Sequence, residues 1–250
     1  VFYCPGNHDL WLHKDDGCRH SLEKLQKIEA LCCELGVHTN SKIISGIQIV
    51  PLYSWYHASF DNEADVSDAD LFPVEQAMMD FHLCKWPDGL TPFDGSDSIA
   101  KYMDGLNDRR LPQVAPSSDE NSFCGPVISF SHFLPRLELL PEKRVLFYPH
   151  LAKAVGSLFL GERIRALRPK LHVFGHTHYG WAAMLGGIQF IQACLAYPRE
   201  RAERPFSVLC STPYGEEASP PLLVYDHSQQ KFPSYKGFWS EYYKVQARCP

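Results

Sequence analysis

The stretch VFYCPGNHD, at residues 1–9, places an Asn-His-Asp cluster in a glycine turn directly after a short apolar run. The apolar run has the composition of the end of a buried strand, and Pro5-Gly6 breaks that strand into a loop. The pattern therefore predicts a strand whose tip presents polar side chains. In layered α/β proteins, loops at such tips carry binding and catalytic residues.

Two later segments repeat this order of an apolar strand, a Gly or Ser, and then histidine. They are VISFSH at residues 127–132 and LHVFGHTH at residues 171–178. Histidines at three strand tips are hard to explain by packing alone, because buried polar rings need partners. A partner that all of them could share is a cation. The histidines concerned are His8, His132, His176 and His178.

The donor atoms in these clusters indicate which cation would bind. The carbonyl oxygen of Asn7 together with imidazole nitrogens suits Zn, Mn, Fe or Co, and it suits Ca or a thiolate site poorly. His176 and His178 are two residues apart, so they would face opposite sides of a regular strand. Because Gly175 precedes them, we expect a relaxed turn in which both rings converge on neighbouring metals.

Hydrophobic periodicity predicts helices and short strands around these tips. Apolar residues recur at helical spacing from Ser21 to Gly36, with Ser21 as the expected N-cap and Gly36 as the stop. Two β-rich runs joined by Gly46 indicate a hairpin. Further helices are predicted at residues 68–84 and 151–167, and strands at residues 42–45, 47–53, 127–132, 171–174, 187–193 and 222–225.

Length and composition favour a single α/β domain. The chain has 250 residues, of which 45% are hydrophobic, enough to bury a large core. The sequence contains no apolar run of about 18 residues.

Residues 58–125 hold 14 acidic and 4 basic residues, whereas the whole chain has a net charge of −5. We interpret residues 58–126 as an acidic, partly mobile insertion and residues 226–250 as an irregular tail.

Charge and cysteine content indicate which ligands and which cell compartment to expect. The net negative charge argues against general nucleic-acid binding, and the basic remainder of the chain is where an anionic substrate would bind. Nine cysteines without a Cys-x-x-Cys pair, and the lack of an Asn-x-Ser/Thr sequon, favour a reduced intracellular protein. We therefore expect a cytoplasmic protein that has no membrane partner.

The order of the three clusters resembles the motif series of the calcineurin-like metallophosphoesterase family. That family carries Asp-x-His, Gly-Asp-x-x-Asp, Gly-Asn-His-Asp/Glu, a lone His and Gly-His-x-His. The resemblance covers residues 1 to about 193 apart from the acidic segment, and the first two motifs are absent. It implies an α/β/β/α sandwich, without its first strands here, that hydrolyses a phosphomonoester or phosphodiester. The matching motifs are Gly6-Asn7-His8-Asp9, Ser131-His132 and Gly175-His176-Thr177-His178.

The resemblance also implies a role for each motif residue. His8 would protonate the leaving oxygen or stabilise its charge, and Asp9 would orient His8. Two divalent transition metals, Mn, Fe, Zn or Co, would clamp a phosphate oxygen and make hydroxide available near neutral pH. The implied metal ligands are Asn7, His132 and His176 on one ion and His178 on the other.

The two absent motifs would supply an Asp and a His to one metal, and an Asp that bridges both metals. The side chains present would leave one metal with a single protein ligand and the other with three. Two dications without a carboxylate between them repel strongly in a partly dry site. We therefore expect a truncated chain that binds at most one metal, weakly, and that is inactive by itself.

Three further residues are weaker candidates for substrate contact. Arg136 could hold a phosphate, because a guanidinium fork matches phosphate oxygens, although an arginine on a loop is usually only solvated. Tyr179 follows the last histidine motif and His57 follows an aromatic pair, so both could form a wall for the leaving group or simply pack at a rim. Alternating charges in residues 197–205 are expected to form local ion pairs.

Two other function classes remain open. A scaffold that keeps the phosphoesterase fold after losing metal ligands would bind a protein partner, and replacement of the two upstream motifs would distinguish it from an enzyme. An adaptor built on the acidic segment would lose its function when residues 58–125 are deleted, whereas an enzyme would keep catalysis. For the enzyme, the expected partner is a phosphorylated small molecule or a phosphoprotein.

Overall fold

The centre of the molecule is a six-stranded mixed β-sheet. The computed structural model describes residues 1–66, 71–111, 125–218 and 221–248. The strands are β1 Lys42–Ile44, β2 Ile47–Pro51, β3 Val127–Phe130, β4 Leu171–Val173, β5 Trp181–Leu185 and β6 Ile188–Gln192. They lie in the order β1-β2-β3-β4-β6-β5. Helices pack around this sheet, so the predicted α/β fold class is confirmed.

The direction of the strands explains why the histidine clusters meet. Strands β2, β3, β4 and β6 are parallel, and the edge strands β1 and β5 are antiparallel to their neighbours. Parallel strands end at the same edge of a sheet, so the loops after β3 and β4 emerge side by side. His132 follows β3 and His176 follows β4. The sheet topology therefore brings these two rings together.

A second, three-stranded sheet and eight α-helices complete the described residues. The small sheet has the order β8-β7-β9, with β7 Cys210–Ser211, β8 Glu217–Ala218 and β9 Lys236–Gly237. The helices are α1 Ser21–Glu34, α2 Val74–Ala77, α3 Asp80–Leu83, α4 Ser98–Gly105, α5 Leu158–Leu167, α6 Pro198–Glu203, α7 Pro205–Val208 and α8 Phe238–Val245.

Several predicted elements are confirmed. The helix predicted from residue 21 is α1, although its N-cap is His20 rather than Ser21, because the His20 ring accepts from the backbone N–H of Glu23 while Ser21 is buried. Gly36 ends this helix with φ 67. The β1–β2 hairpin turns through Ser45 and Gly46, both at positive φ. The strands predicted at residues 127–132, 171–174 and 187–193 are β3, β4 and β6.

Three predicted elements are wrong. In place of one helix at residues 68–84, the described part holds the one-turn helices α2 and α3, because Met78 between them has an extended backbone with ψ 123. The helix predicted at residues 151–167 starts only at Leu158, where Ser157 caps α5. Residues 222–225 form no strand, and the sequence pattern also missed the edge strand β5.

The acidic segment contributes to the core rather than standing apart from it. Phe60 is 1% exposed in the main apolar cluster, and Ile99 and Met103 are buried in a second cluster beside the N-terminal loop. Most of the polar stretch at residues 115–126 lies outside the described residues, so its expected mobility stays a prediction. The tail expected to be irregular contains α8, whose Trp239 and Tyr243 pack on the main cluster.

The cysteines of the described ranges are seven free thiols, and six of these side chains are at least partly buried, Cys33 being exposed. Those thiols belong to Cys4, Cys18, Cys32, Cys33, Cys84, Cys194 and Cys210. Across the same ranges, the helices are all too short or too polar to cross a lipid bilayer.

Candidate metal centre

Side chains from three loops converge on one point: the N-terminal turn and the loops after β3 and β4. The predicted strand at residues 1–4 is wrong, because Phe2 makes only a single bridge, to His38. Oδ1 of Asn7 lies 2.9 Å from Nε2 of His132, and that nitrogen lies 3.2 Å from Nδ1 of His176. Asn7 is 3% exposed, so the meeting point is largely shielded from water. Residues that are far apart along the chain therefore present one amide oxygen and two imidazole nitrogens to the same small volume.

The spacing of these three atoms fits a shared cation. Zinc–nitrogen bonds are about 2.0–2.1 Å long, so neighbouring ligand atoms around such an ion lie roughly 3.0–3.4 Å apart. The 3.2 Å separation of the two imidazole nitrogens lies in this range, and the 2.9 Å separation of Oδ1 and Nε2 lies just below it. A hydrogen bond between the two rings also accounts for the distance between their nitrogens, since one imidazole can donate its N–H to the other. Both arrangements require neutral imidazoles.

Burial keeps both imidazoles neutral. Desolvation, followed by the fields of His176 and His8, holds the pKa of His132 well below its ordinary value. Burial likewise lowers the pKa of His176 to about 4, although the carboxylate of Asp80 opposes this change. A neutral imidazole keeps the lone pair that a metal ion needs. Burial therefore leaves both rings able to offer a lone pair.

A hydrogen bond on its far side fixes the orientation of His176. Nε2 lies 2.9 Å from the carbonyl oxygen of Ala154 and donates to it. This bond places the proton on Nε2 and leaves the lone pair of Nδ1 directed at His132. Metal-binding histidines in general donate their second ring nitrogen to a carbonyl or carboxylate in this way.

The loop that carries the last two histidines has an uncommon backbone. His176 has φ 74 and His178 has φ 55, and the N–H of Thr177 donates to the carbonyl of Gly175 at 2.9 Å. These values describe a tight γ-turn centred on His176. The prediction that Gly175 supplies the relaxed turn is therefore wrong, because the positive φ falls on the histidines themselves.

Asp80, the first residue of α3, holds Asn7 from behind. Both of its carboxylate oxygens accept from Nδ2 of Asn7, at 2.8 and 3.0 Å. The same carboxylate accepts from Nε1 of Trp11 at 2.6 Å. Asp80 is 3% exposed, so it is a buried anion satisfied by uncharged donors.

His178 lies beside the three converging side chains and bonds to Glu200 of α6. Its Nδ1 is 2.7 Å from Oε2 of Glu200. Glu200 also accepts from the guanidinium of Arg204 and from the backbone N–H of Tyr197. Although burial opposes the shift, these bonds hold the pKa of Glu200 below its usual value. His178 is thus oriented through Nδ1, which leaves Nε2 as the nitrogen that can bind a cation.

His8 and Asp9 adopt different positions at the mouth of the site. The exposed ring of His8 stacks on Trp11, with ring centroids 3.8 Å apart. The carboxylate of Asp9 accepts from the backbone N–H of Gly6 at 2.7 Å and so closes the turn. The stack with Trp11 orients His8 in the structure, and the expected orienting role of Asp9 stays a prediction.

One open cleft with a volume of about 1020 Å³ is lined by Asn7, His8, Asp9, His132, His176, His178 and Glu200. Its polar floor is the histidine cluster, and its walls are mainly apolar. Wall residues that face the cluster include Leu146, Leu151, Tyr179, Phe206 and Trp239. The cleft therefore has room for a large organic group beside the polar floor.

The structure separates the three weaker candidates. Tyr179 lines the histidine cleft, and the guanidinium of Arg204 lies over its ring. Arg136 lines a different cavity and pairs with Glu138. His57 is 3% exposed, and its Nε2 accepts from the backbone N–H of Leu158 at 3.0 Å. The structure thus places neither Arg136 nor His57 in the histidine cleft.

Sequence reasoning missed Asp80, Trp11 and Glu200. Asp80 lies 73 residues from Asn7, in the segment interpreted as an insertion, and has no motif around it. The expected ion pair between Glu200 and Arg204 is present, but the contact of Glu200 with a histidine could not be read from local charges. In the described ranges, three or more His, Cys, Asp or Glu side chains are nowhere grouped as a metal site.

The chain is similar to a phosphodiesterase whose structure has been solved. No protein-family model matches the chain. The chain is 23% identical over 218 residues to the [acyl-carrier-protein] phosphodiesterase PptH of Mycobacterium tuberculosis (strain ATCC 25618 / H37Rv), which covers 84% of this chain and 64% of that protein. The chain thus spans less than two thirds of the length of this curated relative. The crystal structure of phosphopantetheinyl hydrolase (PptH) from Mycobacterium tuberculosis matches with a TM-score of 0.60 and 22% identity, over 90% of this chain and 77% of that chain. This match shows a shared α/β fold.

Proposed function

We propose that this protein is a metal-dependent phosphoesterase of the calcineurin-like type. The observation that carries the proposal is the convergence of Asn7, His132 and His176, whose donor atoms lie 2.9 and 3.2 Å apart. Those three side chains would hold one divalent transition metal, and His178 would contribute to a second. Such ions supply Lewis-acid activation of water and of the phosphoryl group.

The similarity to PptH supports the reaction class. That relative is named a phosphodiesterase, and the matching crystal structure is named a phosphopantetheinyl hydrolase. The relative and this chain share an α/β fold. The motif residues of this chain agree with the hydrolysis of a phosphoester bond.

His8 is positioned to act as the general acid. Its ring is exposed at the mouth of the cleft and is not bonded to the buried donors, so it can reach a leaving oxygen above the floor. Trp11 holds the ring by stacking, which leaves the ring nitrogens available for proton transfer. His8 would protonate the departing oxygen, while the buried cluster would hold the phosphate.

The walls of the cleft indicate the kind of substrate. Leu151, Phe206 and Trp239 form apolar surface next to the polar floor, in a cleft of about 1020 Å³. That volume exceeds the need of a small phosphomonoester, and drug-sized ligands occupy sites of about 300–1,000 Å³. We infer a phosphodiester with a long organic group, as in a carrier protein that is joined to its modifying group through a phosphodiester bond.

Elemental analysis of the protein expressed from its complete gene, under metal-replete conditions, tests this proposal. His132→Ala and His176→Ala are expected to lower the metal content, whereas His227→Ala, an exposed histidine in the tail, serves as the matched control. The same preparations are assayed with bis-nitrophenyl phosphate and nitrophenyl phosphate in the presence of manganese. Wild-type protein that holds no metal and hydrolyses neither ester would refute the proposed function.

A further inference from the structure

Asp80 combines deep burial with hydrogen bonds that all come from uncharged groups. Its partners are the carboxamide of Asn7 and the indole of Trp11, at 2.6 to 3.0 Å, and the hydroxyl of Tyr56. A buried carboxylate without a close cation is costly unless its lone pairs are fully used. An apolar side chain would fill the same volume without this cost, so the carboxylate itself must serve a purpose.

The carboxylate determines which way the Asn7 amide faces. A carboxylate only accepts hydrogen bonds, so Nδ2 of Asn7 must turn toward Asp80, and Oδ1 must turn toward His132. If the amide were reversed, an N–H group would point at the His132 nitrogen, and a carbonyl oxygen would face the carboxylate. Only the observed orientation turns a lone pair of the Asn7 oxygen toward the point where the two imidazole nitrogens converge.

The same carboxylate also fixes the platform beneath His8. Oδ1 of Asp80 accepts from the indole N–H of Trp11, and the Trp11 ring stacks on His8 at 3.8 Å. Asp80 therefore hydrogen-bonds both to Asn7, one of the three converging side chains, and to Trp11, on which His8 stacks. The relative placement of Asn7 and His8 depends on it.

We propose that Asp80 is a positioning residue that sets the amide orientation of Asn7 and the indole position of Trp11 together. The metal-binding part of this inference rests on the proposed function. Its hydrogen-bonding part does not, because the carboxamide and the indole are held whether or not an ion is bound. Asp80 acts through these two side chains and does not itself touch the substrate.

Asp80→Asn tests the inference, because asparagine has nearly the same shape and lacks the second acceptor oxygen. Asp88→Asn is the matched control, since Asp88 is an exposed carboxylate of the same acidic segment. In the protein from its complete gene, manganese affinity is measured by calorimetry, and circular dichroism checks folding. We expect Asp80→Asn to weaken binding by about 10- to 100-fold, as losing an outer partner of a ligand does, and Asp88→Asn to leave it unchanged.

Two further measurements distinguish positioning from general support of the fold. In Asn7→Ala protein, adding Asp80→Asn should cause no further loss of manganese affinity, because the group that Asp80 orients is already absent. In protein labelled with nitrogen-15 at Asn and Trp, Asp80→Asn should shift the Asn7 carboxamide and Trp11 indole signals and speed their hydrogen exchange. Trp11→Phe, which keeps an aromatic ring and removes the donor, should shift the Asn7 carboxamide signals less.

The outcomes separate this inference from the proposed function. If folded Asp80→Asn protein binds manganese as tightly as wild type, or if the Asn7 and Trp11 signals do not move, the positioning role is wrong. If wild-type protein binds no manganese, the proposed function fails, and the carboxamide and indole signals still decide whether Asp80 fixes the two side chains.

Discussion

Gly6→Ala is expected to disrupt the metal centre through a single added methyl group. A Cβ atom at Gly6 would lie 2.7 Å from Nδ1 and 2.8 Å from Cε1 of His132. Non-bonded carbon contacts are normally about 3.5–4.0 Å, so the ring would have to move by roughly 0.8 Å or more. Overpacking of this kind typically costs about 1–3 kcal/mol. A displaced His132 ring also loses its 2.9 Å approach to Asn7.

Gly175→Ala provides a control from the same site. There the nearest atoms to an added Cβ belong to His132 as well, but they are 3.4 and 3.6 Å away, which is ordinary contact. Neither glycine has a positive φ, so the two substitutions differ in crowding rather than in backbone strain. We expect the stability of Gly175→Ala to stay within about 1 kcal/mol of wild type.

Thermal unfolding and manganese titration together test the prediction. For a domain of this size, about 1 kcal/mol corresponds to a shift in Tm of roughly 2–4 °C, so Gly6→Ala should lower Tm by about 2–12 °C. It should also weaken manganese binding, because His132 no longer meets the other donors. Equal behaviour of the two alanine variants, in both Tm and affinity, would show that the Gly6–His132 contact does not position the ring.

Two further predictions concern His8 and a buried ion pair. In protein from the complete gene, His8→Ala should cut turnover of esters with poor leaving groups by about 10²- to 10⁴-fold, and should affect nitrophenyl esters less and metal content little; equal losses on both ester types would remove the acid role. Lys143→Met should destabilise the fold by about 3–5 kcal/mol in urea titrations, because it leaves Asp61 buried without its cation; the two charges lie 2.6 Å apart with side chains 3% and 1% exposed.

The sequence predicted the convergence of the histidines because the end of a strand and the motif that follows it can both be recognised in a short stretch of sequence. An apolar run followed by a Gly or Ser and a histidine identifies a strand tip, and tips of parallel strands share one edge of a sheet. This reasoning placed His132 and His176 correctly in relation to Asn7. It could not place Asp80, because the fold brings α3 to the N-terminal loop through packing of Leu10 and Cys84 in one apolar cluster.

The errors in secondary structure have related causes. Hydrophobic spacing continues across Met78 and across residues 155–157, so periodicity alone predicted one helix where the chain forms two shorter segments. Strand β5 was missed because its burial depends on α8 and β9, which pack on it from distant positions in the chain.

The packing of the acidic segment also means that deleting residues 58–125 removes core residues such as Ile99, so that deletion cannot separate an adaptor from an enzyme.

The left-handed backbone of His176 and His178 has a consequence for protein engineering. Each of these φ values, 74 and 55, carries a conformational penalty of about 1–2 kcal/mol for a residue with a Cβ atom. Glycine or asparagine would relieve that penalty, but each would also remove a hydrogen bond, from His176 to Ala154 or from His178 to Glu200. A buried acceptor that loses its partner costs about 1–3 kcal/mol, which is as large as the relief. The bonds of the two imidazoles therefore hold the loop in its uncommon conformation, and libraries aimed at heat resistance should keep both positions fixed.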